Sequence, residues 1–165
     1  IHPNNRTQDL KVLGDAQLDW LIAALNKSKA PFKMVALGGQ FLNDVAKHEN
    51  MANYPERQEI IDRIEEEHIH GVIFLTGDRH CTDMSRLELE GGAVIHDLTV
   101  SPLTSGAYDN SKENNTLRIE GTTTPQRNFA ELNFSGPRKD RSCEIVIKDN
   151  EGVELWSKTL KSKEL

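Results

Sequence analysis

Apolar positions in the first half of the chain alternate between two rhythms. Leu18, Leu21, Ile22 and Leu25 recur at helical spacing behind Asp15, which occupies the place of an N-cap residue. The pattern closes in Asn26-Lys27-Ser28-Lys29, and Pro31 stops it, since proline cannot continue a helix. Phe32-Lys33-Met34-Val35-Ala36-Leu37 then predicts a mostly apolar strand closed by Gly38-Gly39. A polar connection from Phe41 to Tyr54 follows, with no element assigned to it. Pro55 is placed to open a second helix. Ile60, Ile61 and Ile64 give that helix its buried stripe, Glu59 and Arg63 are spaced to pair on its outer face, and Gly71 is its expected stop. Val72-Ile73-Phe74-Leu75-Thr76 predicts a second apolar strand. Strands without polar interruptions are typical of sheets buried on both faces, and parallel sheets above all.

The second half changes character. Residues 85–90 alternate polar and apolar, Gly91-Gly92 turns, and residues 93–99 return, which is a hairpin pattern. Residues 101–115 are rich in Ser, Gly, Asn and Asp and predict a long surface loop. Three further strands are expected over 127–134, 143–148 and 153–160, the last two joined by the turn Asp149-Asn150-Glu151-Gly152. The chain therefore predicts an α/β fold: a parallel βαβ unit followed by antiparallel strands, as a single domain over residues 1–165.

Composition narrows the function classes. Twenty Lys and Arg face 26 Asp and Glu, a net charge of −6, so no basic face is available to neutralise nucleic-acid phosphates. Cys81 and Cys143 form neither a disulfide framework nor a zinc spacing. No apolar run approaches the length needed to span a bilayer. The N-terminus, Ile1-His2-Pro3-Asn4-Asn5-Arg6, is polar and lacks an initiator Met, which suits a processed or excised piece and leaves the compartment open.

A βαβ crossover makes its two strands parallel, so both exit loops belong at one edge of the sheet, where α/β proteins hold ligands. Those loops are Gly38-Gly39-Gln40 and Gly77-Asp78-Arg79-His80. In an extended loop Asp78 and His80 point one way and Arg79 the other. A carboxylate beside an imidazole can ligate a metal; equally, Asp78 can cap backbone amides while His80 is merely exposed. Arg79 is then expected to form a structural ion pair. Asp97 and Thr99 stand either as supporting partners of His80 or as loop caps. His48, His68, His70 and His96, with Trp20 and Tyr54, are expected to be structural.

Three segments resemble one family. Leu13-Gly14-Asp15-Ala16-Gln17-Leu18-Asp19-Trp20-Leu21 is similar to the "LGxxQxxWL" segment of PhoD-like alkaline phosphatases, followed in order by Ser28-Lys29-Ala30 for its "S-x-A". Leu75 to His80 resembles its "L-S/T-G-D-x-H", and residues 98–106 its "LTxSPLTSG" loop. The order and spacing match over about residues 6–106, with Arg6 resembling an arginine that precedes the first segment, and residues 128–136 resemble a late strand of the family.

The resemblance implies half of the four-layer α-β-β-α sandwich of calcineurin-like metallophosphoesterases, which hydrolyse phosphate esters at a centre of two metal ions. Calcium, iron, manganese and zinc are all open. It places Asp78 and His80 as metal ligands and catalytic-site residues. Gln40 stands where a ligand His is common, and Gln40, Ser101 and Thr104 would meet the substrate. The family's earlier motifs, "DxH", "GDxxD" and "GNH-D/E", do not occur, so the chain looks like a C-terminal portion, inactive on its own. One apolar sheet face is then expected to be bare, awaiting the missing N-terminal half or a second copy. By the same resemblance the parent is extracytoplasmic, periplasmic or secreted. The alternative is a non-catalytic binding or structural domain that kept the fold without the metals.

Overall fold

Helices cover one face of a four-stranded sheet and a second sheet covers the other in the computed structural model, which describes residues 11–45, 50–137 and 139–165. The elements run α1 (Asp15–Lys27), β1 (Lys33–Ala36), α2 (Glu56–Glu66), β2 (Val72–Thr76), β3 (Asp83–Glu88), β4 (Val94–Thr99), β5 (Asn128–Ser135), β6 (Ser142–Asp149) and β7 (Glu154–Lys161). The first sheet has the order β1-β2-β4-β3, with β1, β2 and β4 parallel and β3 antiparallel to β4. The second is the antiparallel meander β5-β6-β7.

The helical stripes behave as their spacing predicts. Leu18, Leu21, Ile22 and Leu25 of α1 join Ile60, Ile61 and Ile64 of α2 over Val72, Phe74 and Ile95 of the sheet. Alternation along the strands sends Ile73, Met84, Val94 and Leu98 to the opposite face. There they meet Cys143, Ile145, Ile147 and Leu160 of the second sheet. The face expected to be bare is thus covered from within the chain, because the late strands fold back as a layer of their own. Tyr54 lies in the helical core, whereas Trp20 is 66% exposed and does not pack inside.

Four local expectations are corrected by partners distant in sequence. Gly14, not Asp15, is the N-cap of α1, and no side chain caps it from within. Instead the buried Glu56 carboxylate, from the start of α2, accepts the amides of Val12, Leu13 and Gly14 at 2.7, 2.8 and 2.7 Å. Arg63 pairs at 2.6 Å with Asp19 on α1 rather than with Glu59, since the packed helices bring that carboxylate closer. The chain leaves α2 through His68 at φ 51°, with the Ile69 amide bonded back to Ile64. Gly71 is needed for another reason: at φ 76° its added Cβ would lie 2.2 Å from the Pro31 carbonyl oxygen. Finally, the loop expected over 101–115 is at the surface along 103–109 but is tied down further on. Ile119 and Leu117 bond the backbone of Met84 and Arg86, so it runs beside β3, and Asn110 and Asn115 are buried.

Two glycines of like conformation separate strain from collision. Gly92 has φ 84° with open space around it, whereas Gly71 faces the Pro31 backbone. Gly92→Ala should cost about 1 kcal/mol, the usual penalty of the left-handed region for a side chain. Gly71→Ala should cost clearly more, about 3 kcal/mol, because backbone must also shift. Urea denaturation of the two variants beside the parent sequence measures both.

Candidate functional site

The helix-facing side of the first sheet turns from apolar to polar toward the carboxyl ends of its parallel strands. Phe74 is followed on that face by Thr76, and Ile95 by Asp97 and Thr99, while the antiparallel β3 sets Ser85 opposite Asp97 and Asp83 opposite Thr99. Chain exits need hydrogen-bond partners, and these side chains provide them. Asp97 is wholly buried; one carboxylate oxygen accepts the amides of Phe41 and Leu42 at 2.7 and 2.6 Å, the other the Thr76 hydroxyl at 2.7 Å. Burial pushes its carboxyl up to about 6, against those three hydrogen bonds, which favour the charged form. Asp97 therefore acts as a loop cap. Phe41, held in this way, stacks on Phe74 with ring centroids 3.8 Å apart.

The two exit loops lie side by side, as the crossover predicts: the Gly77 amide bonds the Gly38 carbonyl at 3.2 Å. The Arg79 amide returns to the Gly77 carbonyl at 2.9 Å, closing a tight turn around Asp78. Asp78 and His80 both have positive φ, 68° and 56°. The loop is therefore not extended as expected, yet Asp78 and His80 are both exposed and Arg79 is buried between them. The His80 amide donates to the Ser101 hydroxyl at 2.9 Å, and the Tyr108 amide to the His80 carbonyl at 2.7 Å.

Of the other residues expected at the site, Thr104 is exposed and Ser101 is buried against the His80 backbone. Gln40 is buried as well, 1% exposed, and its amide is fully engaged. It donates to Asp83 and Thr99 at 2.8 and 2.9 Å and accepts from Asn43 and Arg79 at 2.7 and 2.6 Å. Two donors and two acceptor sites are all that an amide has, so none is left here for water or phosphate. Arg79 also pairs with Glu113 at 2.5 Å, the structural ion pair expected of it.

Sequence reasoning did not find Asp83, Asn110, Glu113 and Arg118, which complete this buried layer. Asp83 accepts Asn110 at 2.8 Å and Arg118 at 3.0 Å, and burial raises its carboxyl while the Arg118 charge opposes the rise. No local signal marks these residues: Asp83 opens β3 at a polar position, and the other three lie in a polar segment whose side chains ordinarily face water.

His48 and Arg6 lie outside the described residues. His70 is near the Leu165 carbonyl at 3.2 Å. His96 is 3% exposed on the face toward the second sheet, its Nδ1 without a partner. Burial pushes it down to about 4, helped by the charges of Arg86 and Lys158. Burial also pushes the thiols of Cys81 and Cys143 up to about 12 and about 11. Among the described residues no three His, Cys, Asp or Glu side chains converge as a metal site. Asp78 and His80 supply two donors, whereas a closed divalent site takes about four. These residues alone do not fit a complete metal centre.

Two measurements follow. His96 is neutral in the fold but takes a proton near pH 6.5 when unfolded, so its contribution is present above that pH and lost as pH falls toward 4. Asp97 works in the opposite sense between about 6 and its ordinary range, since the fold favours its protonated form. His96→Gln should therefore gain on the parent sequence by about 2 kcal/mol between pH 7 and pH 5 in urea denaturation, whatever its offset at neutral pH. Both thiols should resist a chromogenic disulfide reagent at pH 8 in the native protein and react at once in denaturant.

The sequence profile of the PhoD-like phosphatases matches residues 1–144. Comparison with curated proteins finds no match. Among solved structures, a structure of PhoD superposes with a TM-score of 0.65 at 18% identity, over 90% of this chain and 32% of that one. Likeness at that identity speaks of fold alone, and the chain spans about a third of the PhoD chain's length. A single mutant of Vps29 from Entamoeba histolytica matches over 81% of this chain and 57% of that one, at 16% identity, but its TM-score of 0.38 is too low to bear on the fold. A mixed sheet with a second, antiparallel sheet is consistent with half of a PhoD-like metallophosphoesterase fold. With most of its length matched by the family profile, the chain belongs to the PhoD-like phosphatases.

Proposed function

We propose that this chain is the C-terminal portion of a longer phosphatase that hydrolyses phosphate esters, and that Asp78 and His80 are its contribution to the reaction centre. The observation that carries the reading is the exposed pair itself: a carboxylate and an imidazole at the carboxyl edge of a parallel sheet, on a loop held in a costly backbone conformation. Membership of the family supports the activity. Two metal ions, when bound, would bind phosphoryl oxygens and lower the pKa of an attacking water. Asp78 and His80 would face that centre, while Ser101 holds the His80 backbone in register. The remaining donors would come from the rest of the parent polypeptide. An extracytoplasmic location is part of the same proposal and rests on the family alone. No helix among the described residues is long and apolar enough to cross a membrane.

One observation favours the rival reading of a non-catalytic domain. Gln40, where a ligand His is common in the family, has its hydrogen-bonding capacity spent inside the protein.

In the longer parent, Asp78→Ala and His80→Ala should each lower bound metal and turnover by orders of magnitude while leaving the melting temperature of the metal-free protein nearly unchanged, because both side chains are exposed. Turnover is followed on a chromogenic phosphomonoester and a phosphodiester, with elemental analysis in parallel. The 165-residue chain alone should turn over neither ester, even with added calcium, manganese, zinc or iron. Full activity in His80→Ala would remove His80 from the reaction centre, whereas a parent that binds no metal and turns over neither ester would replace the enzyme reading by the binding domain.

A further inference from the structure

We infer that Arg79 and Glu113 are a positioning pair, which turns the loop after β2 so that Asp78 and His80 face outward together. The inference deepens the function proposed above, by saying what sets the geometry of that pair.

Two side-chain-bearing residues at positive φ, two positions apart, are unfavourable by about 1–3 kcal/mol each and persist only when their surroundings impose them. Arg79 lies between them, and its side chain is 3% exposed. One arm of its guanidinium donates to Gln40 at 2.6 Å and the other to Glu113 at 2.5 Å. Neither acceptor can follow the loop if it moves. Gln40 is bonded in turn to Asp83, Thr99 and Asn43. Glu113 has a side chain 7% exposed, and its carbonyl oxygen accepts Arg118 at 3.4 Å. A buried ion pair seldom adds net stability over apolar residues of equal size, so stability alone does not account for this one. Its planar fork does something that an apolar contact cannot: it fixes the direction of the residue bearing it. With Arg79 directed inward, a turn of three residues leaves its two neighbours on the open side. With Arg79 released, the loop is free to return to negative φ, and Asp78 and His80 lose their common direction.

The test is a conformational readout on the 165-residue chain, by nuclear magnetic resonance. A residue at positive φ has its amide proton close to its own Hα and shows a strong cross-peak between them. The sequence as it stands should show that peak at Asp78 and His80. The double variant Arg79→Met with Glu113→Leu fills the same space without charge and should keep the melting temperature within a few degrees and the amide shifts of β1, β2 and β4. It should nevertheless lose both strong cross-peaks. Arg79→Lys, which keeps the charge but not the fork, should also lose them and so fail to rescue. Should the double variant not fold, Glu113→Gln, of the same size, takes its place and should weaken both peaks. Retention of both peaks in a folded variant without the ion pair overturns the inference. Because the readout is backbone geometry, it stands or falls apart from turnover. In the longer parent the double variant should also lose at least tenfold in kcat, with KM little changed. An inactive parent with the cross-peaks responding as stated would overturn the phosphatase reading and leave the positioning pair intact.

Discussion

A carboxylate sealed between a sheet and a loop must be paired by donors that cannot move away, and Asp97 meets that demand with two backbone amides and one hydroxyl. The amides belong to Phe41 and Leu42, so the charge that β4 buries decides where the chain goes on leaving β1. Gln40, the residue before them, is thereby carried into reach of Asp83, Thr99 and Arg79. The turn after β2 inherits its orientation from that contact. Placement of Asp78 and His80 is the last link of a chain of hydrogen bonds that begins in the sheet.

The layer so formed is polar yet closed. Asp83 and Glu113 are set against Arg79 and Arg118, and the two pairs balance in charge. Below it the two apolar cores are conventional, one under the helices and one between the sheets. Hydrophobic burial supplies most of the stabilisation in such a domain. The polar layer instead selects one arrangement of loops among many, since its charged groups meet opposite charges only in that arrangement, even with Asn110 Oδ1, Glu113 Oε2 and Arg118 Nη2 left without a hydrogen bond. Glu56 plays the same part at the start of the helices, gathering three amides ahead of α1.

Membership of the PhoD-like phosphatases gives this architecture a use without altering its physics. Buried charge is paired or hydrogen-bonded inside and two potential ligands are left outside. In the proposed parent, the open edge where they stand would receive the donors that this chain lacks.

The helices, the two apolar strands, the hairpin and the closing meander were all legible in the sequence, because periodicity reports which face of an element is apolar. The adjacency of the exit loops was legible too, since a right-handed crossover leaves few alternatives; the exposure of Asp78 and His80 around a buried Arg79 agrees with the reading, but it comes from a tight turn at positive φ and not from an extended loop. What only the tertiary structure decided are the partners. That Glu56 and not Asp15 serves the start of α1, that Arg63 chooses Asp19, that Gly71 yields to Pro31, and that Gln40 turns inward all depend on which distant segments meet. The same holds for residues 101–127, whose polar composition suits water equally well, and for the late strands that cover the first sheet. Spacing along a chain encodes the direction of a side chain, but a hydrogen-bonding group is satisfied by whichever complementary group the packing brings within about 3 Å.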